Sequence, residues 1–155
     1  MQFRLLMFTL AGTLLIGGVS VFSNFNTSVY DEKAYLILPE KNIELTVVST
    51  SEARTRGLSG KDSLSDDSAM LFVFEDLDKY GIWMKDMKFP IDIFWLNEKS
   101  KIVHIEKDVS PDTYPKVFFP PSKSLLILEA NAGFARKNDL EVGKSLVFSQ
   151  KIGQK

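Results

Sequence analysis

The chain contains no cysteine and a single histidine, His104. The first absence excludes disulfides, thiolate nucleophiles and cysteine metal sites. The second excludes a multi-histidine zinc site within one chain. An oxygen-ligand site built from carboxylates stays open, and the sequence assigns no residue to a metal or cofactor. Charge of one sign is also lacking. The 19 Lys and Arg offset 20 Asp and Glu, and the formal net charge is −1. The basic residues are scattered, so nucleic acid, which selects a basic face, is not an expected partner. Phosphate loops and nucleophile elbows are missing as well. Gly57-Leu-Ser-Gly60 has no Gly-Lys-Ser/Thr ending. No Gly-x-Ser-x-Gly elbow accompanies His104. No internal repeat and no alternation of strands with long helices is visible.

Apolar residues make up 45% of the 155 positions and charged residues 25%, an ordinary globular balance. That length suits one domain. One run stands apart. Leu5 to Phe22 carries no charge and follows Arg4. As a helix it would span about 27 Å, close to the ~30 Å hydrocarbon core of a bilayer. The positive-inside rule then puts the N-terminus in the cytoplasm and the remainder on the extracytoplasmic side. Residues 1–22 are expected to be a retained signal anchor or a cleaved signal peptide, with Gly18 and Ser20 as small residues near a cut. Cleavage would leave a secreted or periplasmic protein. Residues 23–33 are mostly polar without period and read as a linker.

Residues 34–155 form the expected domain. Ile43, Leu45 and Val47 alternate with Glu44 and Thr46, the pattern of a half-buried strand. Ser49 and Glu52 match a capping box, so a short helix should follow and stop at Gly57. Met70 to Phe74 is a continuous apolar run and reads as a buried strand. Tyr80–Lys85, Phe89–Leu96, Lys101–Lys107, Ser124–Glu129 and Ser145–Gln150 read as further strands. Between Asp108 and Lys123 lie Pro111, Pro115, Pro120 and Pro121 with Tyr114, Phe118 and Phe119. Such a proline density cannot sit in a central strand, so the segment reads as a loop. The expected fold is mainly β: a compact antiparallel sandwich or barrel with one or two short helices.

Charges set among apolar strands mark the candidate pocket: Arg54, Trp83, Lys85, Asp92 and Glu129. A buried charge is costly unless paired or hydrogen-bonded. Arg54 is therefore expected to meet Asp92 or Glu129, as an ion pair or as part of a site. Trp83 and Lys85 share one strand, and Lys85 is its only cation.

The motifs resemble those of the bacterial and archaeal domain-of-unknown-function family 192. Arg54, Gly57 and Leu58 fit its first motif, with Lys61 at a second arginine. Met70, Leu71, Phe72 and Phe74 fit the next, followed by Trp83, Met84 and Lys85, then Pro90, Asp92 and Phe94, then Leu128, Glu129 and Gly133. The resemblance covers about residues 40 to 150. Ser59, Ala69, Ile82 and the Asp86-Met87 pair depart from the pattern. The resemblance implies a compact β-rich domain, often behind a signal or anchor segment, and no established activity.

Three functional expectations follow. The first is a monomeric, membrane-tethered binding or accessory module for a small molecule, with no catalytic residue assigned. The second is a hydrolase of a glycan or other envelope polymer, using Asp92 and Glu129 as paired carboxylates. The third is docking of an envelope protein on the proline and aromatic loop.

Overall fold

Alternating apolar positions place one face of Asn42–Val48 in the core and the other in water, and this segment is strand β2. The computed structural model describes residues 33–152. The anchor or signal at 1–22 and all of the linker except Lys33 lie outside the described residues. Among the described residues, no helix is long and apolar enough to cross a membrane.

Strand β1 (Ala34–Ile37) pairs antiparallel with β2. Helix α1 (Ser51–Arg56) follows. Its N-cap is Thr50, one residue after the expected Ser49: the Thr50 Oγ1 accepts the N–H of Ala53 at 3.2 Å. The helix stops at Gly57, with φ 50° and ψ −131°. That conformation is open to glycine and strained for other residues.

Strand β3 (Ser68–Asp78) then returns parallel to β2, with Glu44 opposite Ser68 and Val48 opposite Phe72. The other pairings of the sheet are antiparallel, as expected; this one crossover is the parallel exception, in a chain whose sequence shows no alternation of strands with long helices. Parallel neighbours need a connection of about a dozen residues or more, which the segment from Ser49 to Asp67 supplies. Its helix is too short to leave a clear helical period in the sequence.

The remaining elements are β4 (Ile82–Trp83), β5 (Ile91–Leu96), β6 (Ile102–Val109), β7 (Val117–Phe118), β8 (Ser124–Asn131), α2 (Phe134–Lys137) and β9 (Val147–Phe148), with a 3₁₀ turn at Pro111–Thr113. The main sheet runs β6-β5-β8-β3-β2-β1-β9. The expected strand over Tyr80–Lys85 shrinks to two residues and leaves the main sheet. It pairs with β7, inside the segment read as a loop. Flanking prolines at 115, 120 and 121 limit β7, because each lacks a ladder donor.

The sheet curls into a half-barrel. Its two edges are bridged by one segment: Gly143 and Leu146 donate to the carbonyls of Ile102 and Ser100, and β9 then pairs with β1. The concave face encloses Leu36, Ile43, Leu71, Phe94, Leu96 and Leu128. The convex face carries Met70, Phe72, Ile93, Trp95 and Ile127, covered by Leu58 after α1 and by Met84 and Phe118 of the β4–β7 ribbon. Each such side chain contributes about 1.5–3 kcal/mol by leaving water. Strand β5 is buried along its whole length because both its faces are covered. The site lies on the convex face, between α1 and the ribbon.

Candidate functional site

Side chains of a strand alternate between faces, so consecutive residues part company. Ile93 lies opposite Glu129, while Asp92 lies opposite Ala130. Glu129 therefore shares the convex face with Ile93 and Met70, and Asp92 points to the concave side. The two carboxylates stand on opposite faces of the sheet. They cannot act as acid and base on one bond, which corrects the paired-carboxylate expectation.

Asp92 has a structural task. It is fully buried and accepts backbone N–H groups from Asp108 at 2.8 Å, Gly133 at 3.3 Å and Ala135 at 2.8 Å. Two of these donors open α2, where helical N–H groups lack partners. Asp92 thus ties the start of α2 and the end of β6 to the centre of the sheet. It lies outside the convex-face pocket.

Glu129 is different. It is only 5% exposed, and among the described residues no donor or cation pairs with its carboxyl. Burial pushes its pKa up to about 8, because the apolar surroundings penalise the charged form. At neutral pH the group is mostly a neutral acid with an O–H to donate. It forms part of the wall of a cavity of about 320 Å³, together with Arg54, Leu58, Phe72, Tyr80 and Trp83.

Arg54 sits on α1 and reaches over the sheet. No carboxylate lies within 4.0 Å of its guanidinium among the described residues, so the expected ion pair with Asp92 or Glu129 does not form. Backbone carbonyls take its place. Nη1 donates to Ser49 and, at 3.0 Å, to Val73. A register shift explains the reach. Between the pairs Val73–Leu126 and Asp78–Ser124, β3 spends more residues than β8. The bulged strand leaves its ladder and turns Phe74 toward the pocket. The guanidinium lies 4.8 Å from the Phe74 ring centre, a cation–π distance. Phe74 in turn stacks on Tyr80, with ring centres 3.5 Å apart and planes 11° from parallel. The Tyr80 hydroxyl donates to the Asp76 carbonyl at 2.7 Å. Burial, with the carboxylates of Asp78 and Asp76 close by, raises the phenol's pKa. Arg54, Phe74 and Tyr80 form a fixed wall.

Trp83 stands at the rim, 44% exposed, edge-on to Tyr114 at 6.3 Å. Lys85 lies beyond it, with Nζ 5.9 Å from the Trp83 ring. Lys85 lines a neighbouring, more open groove shared with Arg56 and Trp83. Of the five expected site residues, the pocket unites Arg54, Trp83 and Glu129, places Lys85 next door and excludes Asp92. Sequence reading missed Phe74 and Tyr80. Their signal was weak: Phe74 resembled core, and Tyr80 resembled a strand residue. Gly81 lets the proline segment close the rim. A Cβ there would come within 2.6 Å of Val117 and Phe119. His104 is engaged elsewhere, 3.1 Å from Glu106. Among the described residues, no group of three or more His, Asp or Glu is placed to hold a metal ion.

Two solved structures share this fold. One is a protein described as a candidate transcription regulator from Sinorhizobium meliloti, with TM-score 0.69 and 21% identity, covering 76% of this chain and 92% of that one. The other is a protein of unknown function from Novosphingobium aromaticivorans, with TM-score 0.66 and 20% identity, covering 74% and 83%. At these identities the likeness establishes the fold alone. No curated protein matches the chain. The family model described as DUF192, Uncharacterized ACR, matches residues 36–148. That span takes in every motif from Arg54 to Gly133, and the chain belongs to the DUF192 family.

Proposed function

We propose that this chain is a membrane-tethered, extracytoplasmic binding module whose convex-face pocket holds a small molecule. One observation carries the reading. A buried acid without a partner and a fixed arginine without a counter-charge line the same cavity. The Glu129 carboxyl has no protein partner among the described residues and opens onto this cavity, where a guest can supply one. The tether and the compartment rest on the uncharged run from Leu5 to Phe22 behind Arg4. The net charge of −1 favours a small ligand over nucleic acid, whatever role the Sinorhizobium meliloti protein has. The chain acts as a monomer in this reading.

The test is a thermal-shift screen of small molecules against the parent and Thr55→Trp. Thr55 is exposed and lies at the pocket mouth, so an indole there closes the entrance. Binders should raise the melting temperature of the parent and leave the variant unmoved. Compounds that shift both equally, or a screen without any binder, overturn the reading.

A second reading concerns the rim. Tyr114, Val117 and Phe119 are exposed beside Trp83, which favours docking of an envelope protein on the proline and aromatic segment. A photo-crosslinking side chain placed at Phe119 in cells should then capture one discrete partner. A crosslink no stronger than that from exposed Glu98 overturns it.

A further inference from the structure

We propose that the pocket takes a small organic carboxylate, gripped by the fork of Arg54 and hydrogen-bonded by the carboxyl group of Glu129. The proposal rests on the reading of this cavity as the binding site and names its ligand class.

Arg54 is prepared for an anion. Its Nη1 is committed to the Ser49 and Val73 carbonyls, and its face rests on Phe74. The guanidinium therefore cannot swing away. Arginine has five N–H donors. Those on Nε and Nη2 make no hydrogen bond among the described residues. Together they form the edge that meets a carboxylate with two parallel bonds. Because carbonyls hold this cation, its charge is left without a counter-ion. A half-buried cation in that state favours an anionic guest.

Glu129 decides what kind of anion. An ionised Glu129 would repel the guest and attract an amine. Its neighbours on the sheet, Met70 and Ile93, are apolar, and no donor stabilises its charged form. The neutral acid instead offers one O–H to a guest oxygen. Arg56 also lines the cavity, and the carboxylates of Asp78, Asp76 and Glu75 lie around Tyr80, so the guest's charge is selected by the Arg54 fork rather than by the field at the rim. The remaining surface is carbon: Leu58, Phe72, Ile82 and the Tyr80 ring. Such walls suit an organic body better than a bare inorganic ion. The cavity, at about 320 Å³, is at the small end of ligand sites, which run from about 300 to 1,000 Å³. A compact aromatic or short aliphatic acid matches that size.

The experiment is calorimetric titration of the full-length chain near pH 6.5 with benzoate, benzylamine and inorganic phosphate. Benzoate should bind, with benzylamine and phosphate weaker by about tenfold or more. Arg54→Met should weaken benzoate by about tenfold or more. Arg54→Lys keeps the charge but lacks the fork, and gives the same loss if the methionine variant does not fold. Glu129→Leu removes the donor and should weaken benzoate by about tenfold; unchanged affinity in that variant takes Glu129 out of the site and overturns the proposal. Benzylamine binding that disappears in Glu129→Gln makes Glu129 a counter-ion; the ligand class then falls and the pocket reading stands. Phosphate binding as tightly as benzoate also overturns the class, as does benzoate binding unaffected by both Arg54 variants. If no probe binds, and the thermal-shift screen also finds no binder, both readings fall together.

Discussion

Replacing Glu129 by glutamine should stabilise this domain, and more so as the pH rises. Glu129 projects from the C-terminal part of β8 into apolar surroundings, 5% exposed, and burial raises its pKa from the ordinary 4.5 to about 8. The sign follows from linkage. Below 4.5 both the folded and the unfolded chain carry the proton, and the group costs nothing through ionisation. Between 4.5 and about 8 the unfolded chain releases the proton while the folded chain keeps it. Native stability therefore falls as the pH rises through that window, and levels off above it. At about 1.36 kcal/mol per pKa unit, the loss is roughly 3 kcal/mol by pH 7 and at most about 5 kcal/mol above pH 8. Glutamine has nearly the same shape, keeps a donor and does not titrate. The assay is urea unfolding of parent and variant between about pH 5 and pH 9, with m-values compared to confirm that the unfolded states match. The two should converge toward pH 5 and separate by a few kcal/mol by pH 8. Asp62, Asp67 and Asp139 have pKa values lowered by hydrogen bonds from Lys88, Lys41 and Lys144. They titrate below this window and are common to both proteins, so they cancel. Parallel curves, with a constant difference from pH 5 to pH 9, would refute the claim that Glu129 is held neutral by burial.

The other predictions address different links. Gly57→Ala should destabilise by about 1–3 kcal/mol, since φ is 50° and ψ −131° and the new Cβ would sit 3.3 Å from Phe72; a neutral alanine in thermal unfolding refutes the backbone argument. Asp92→Asn should cost about 2–4 kcal/mol, because one carboxylate oxygen that accepts buried N–H groups becomes a donor, and hydrogen exchange at Ala135 should accelerate. A double-mutant cycle between Arg54→Met and Glu129→Gln should show stability coupling below about 0.5 kcal/mol, as expected for side chains that do not touch; coupling above about 1 kcal/mol would restore the ion pair. Cell fractionation should find the full chain with the membrane and resistant to alkaline extraction, whereas the same chain lacking residues 1–22 should be soluble; a full chain recovered in the soluble cytoplasmic fraction excludes the anchor.

Much of the strand arrangement was legible in the residues themselves. Alternation marked β2, continuous apolar runs marked β3, β5 and β8, and the glycine at 57 marked the end of α1. These are local consequences of side-chain period and backbone sterics, and they hold wherever the segments end up. The motif set also fixed the family. What the sequence could not carry is which strand neighbours which, and in what direction. The parallel β2–β3 pair depends on a crossover whose helix is too short to leave a period. The same limit governed the site. Arg54, Asp92 and Glu129 looked equivalent as charges among apolar residues. Strand pairing alone placed Asp92 on the concave face, under three backbone donors, and Glu129 on the convex face without any. The bulge after Val73 alone supplied the carbonyl that holds Arg54 and the ring that supports it. Residue type determined that these charges needed partners. Only the tertiary structure decided which received one, because partners are assigned by register and face, and both depend on contacts distant in sequence.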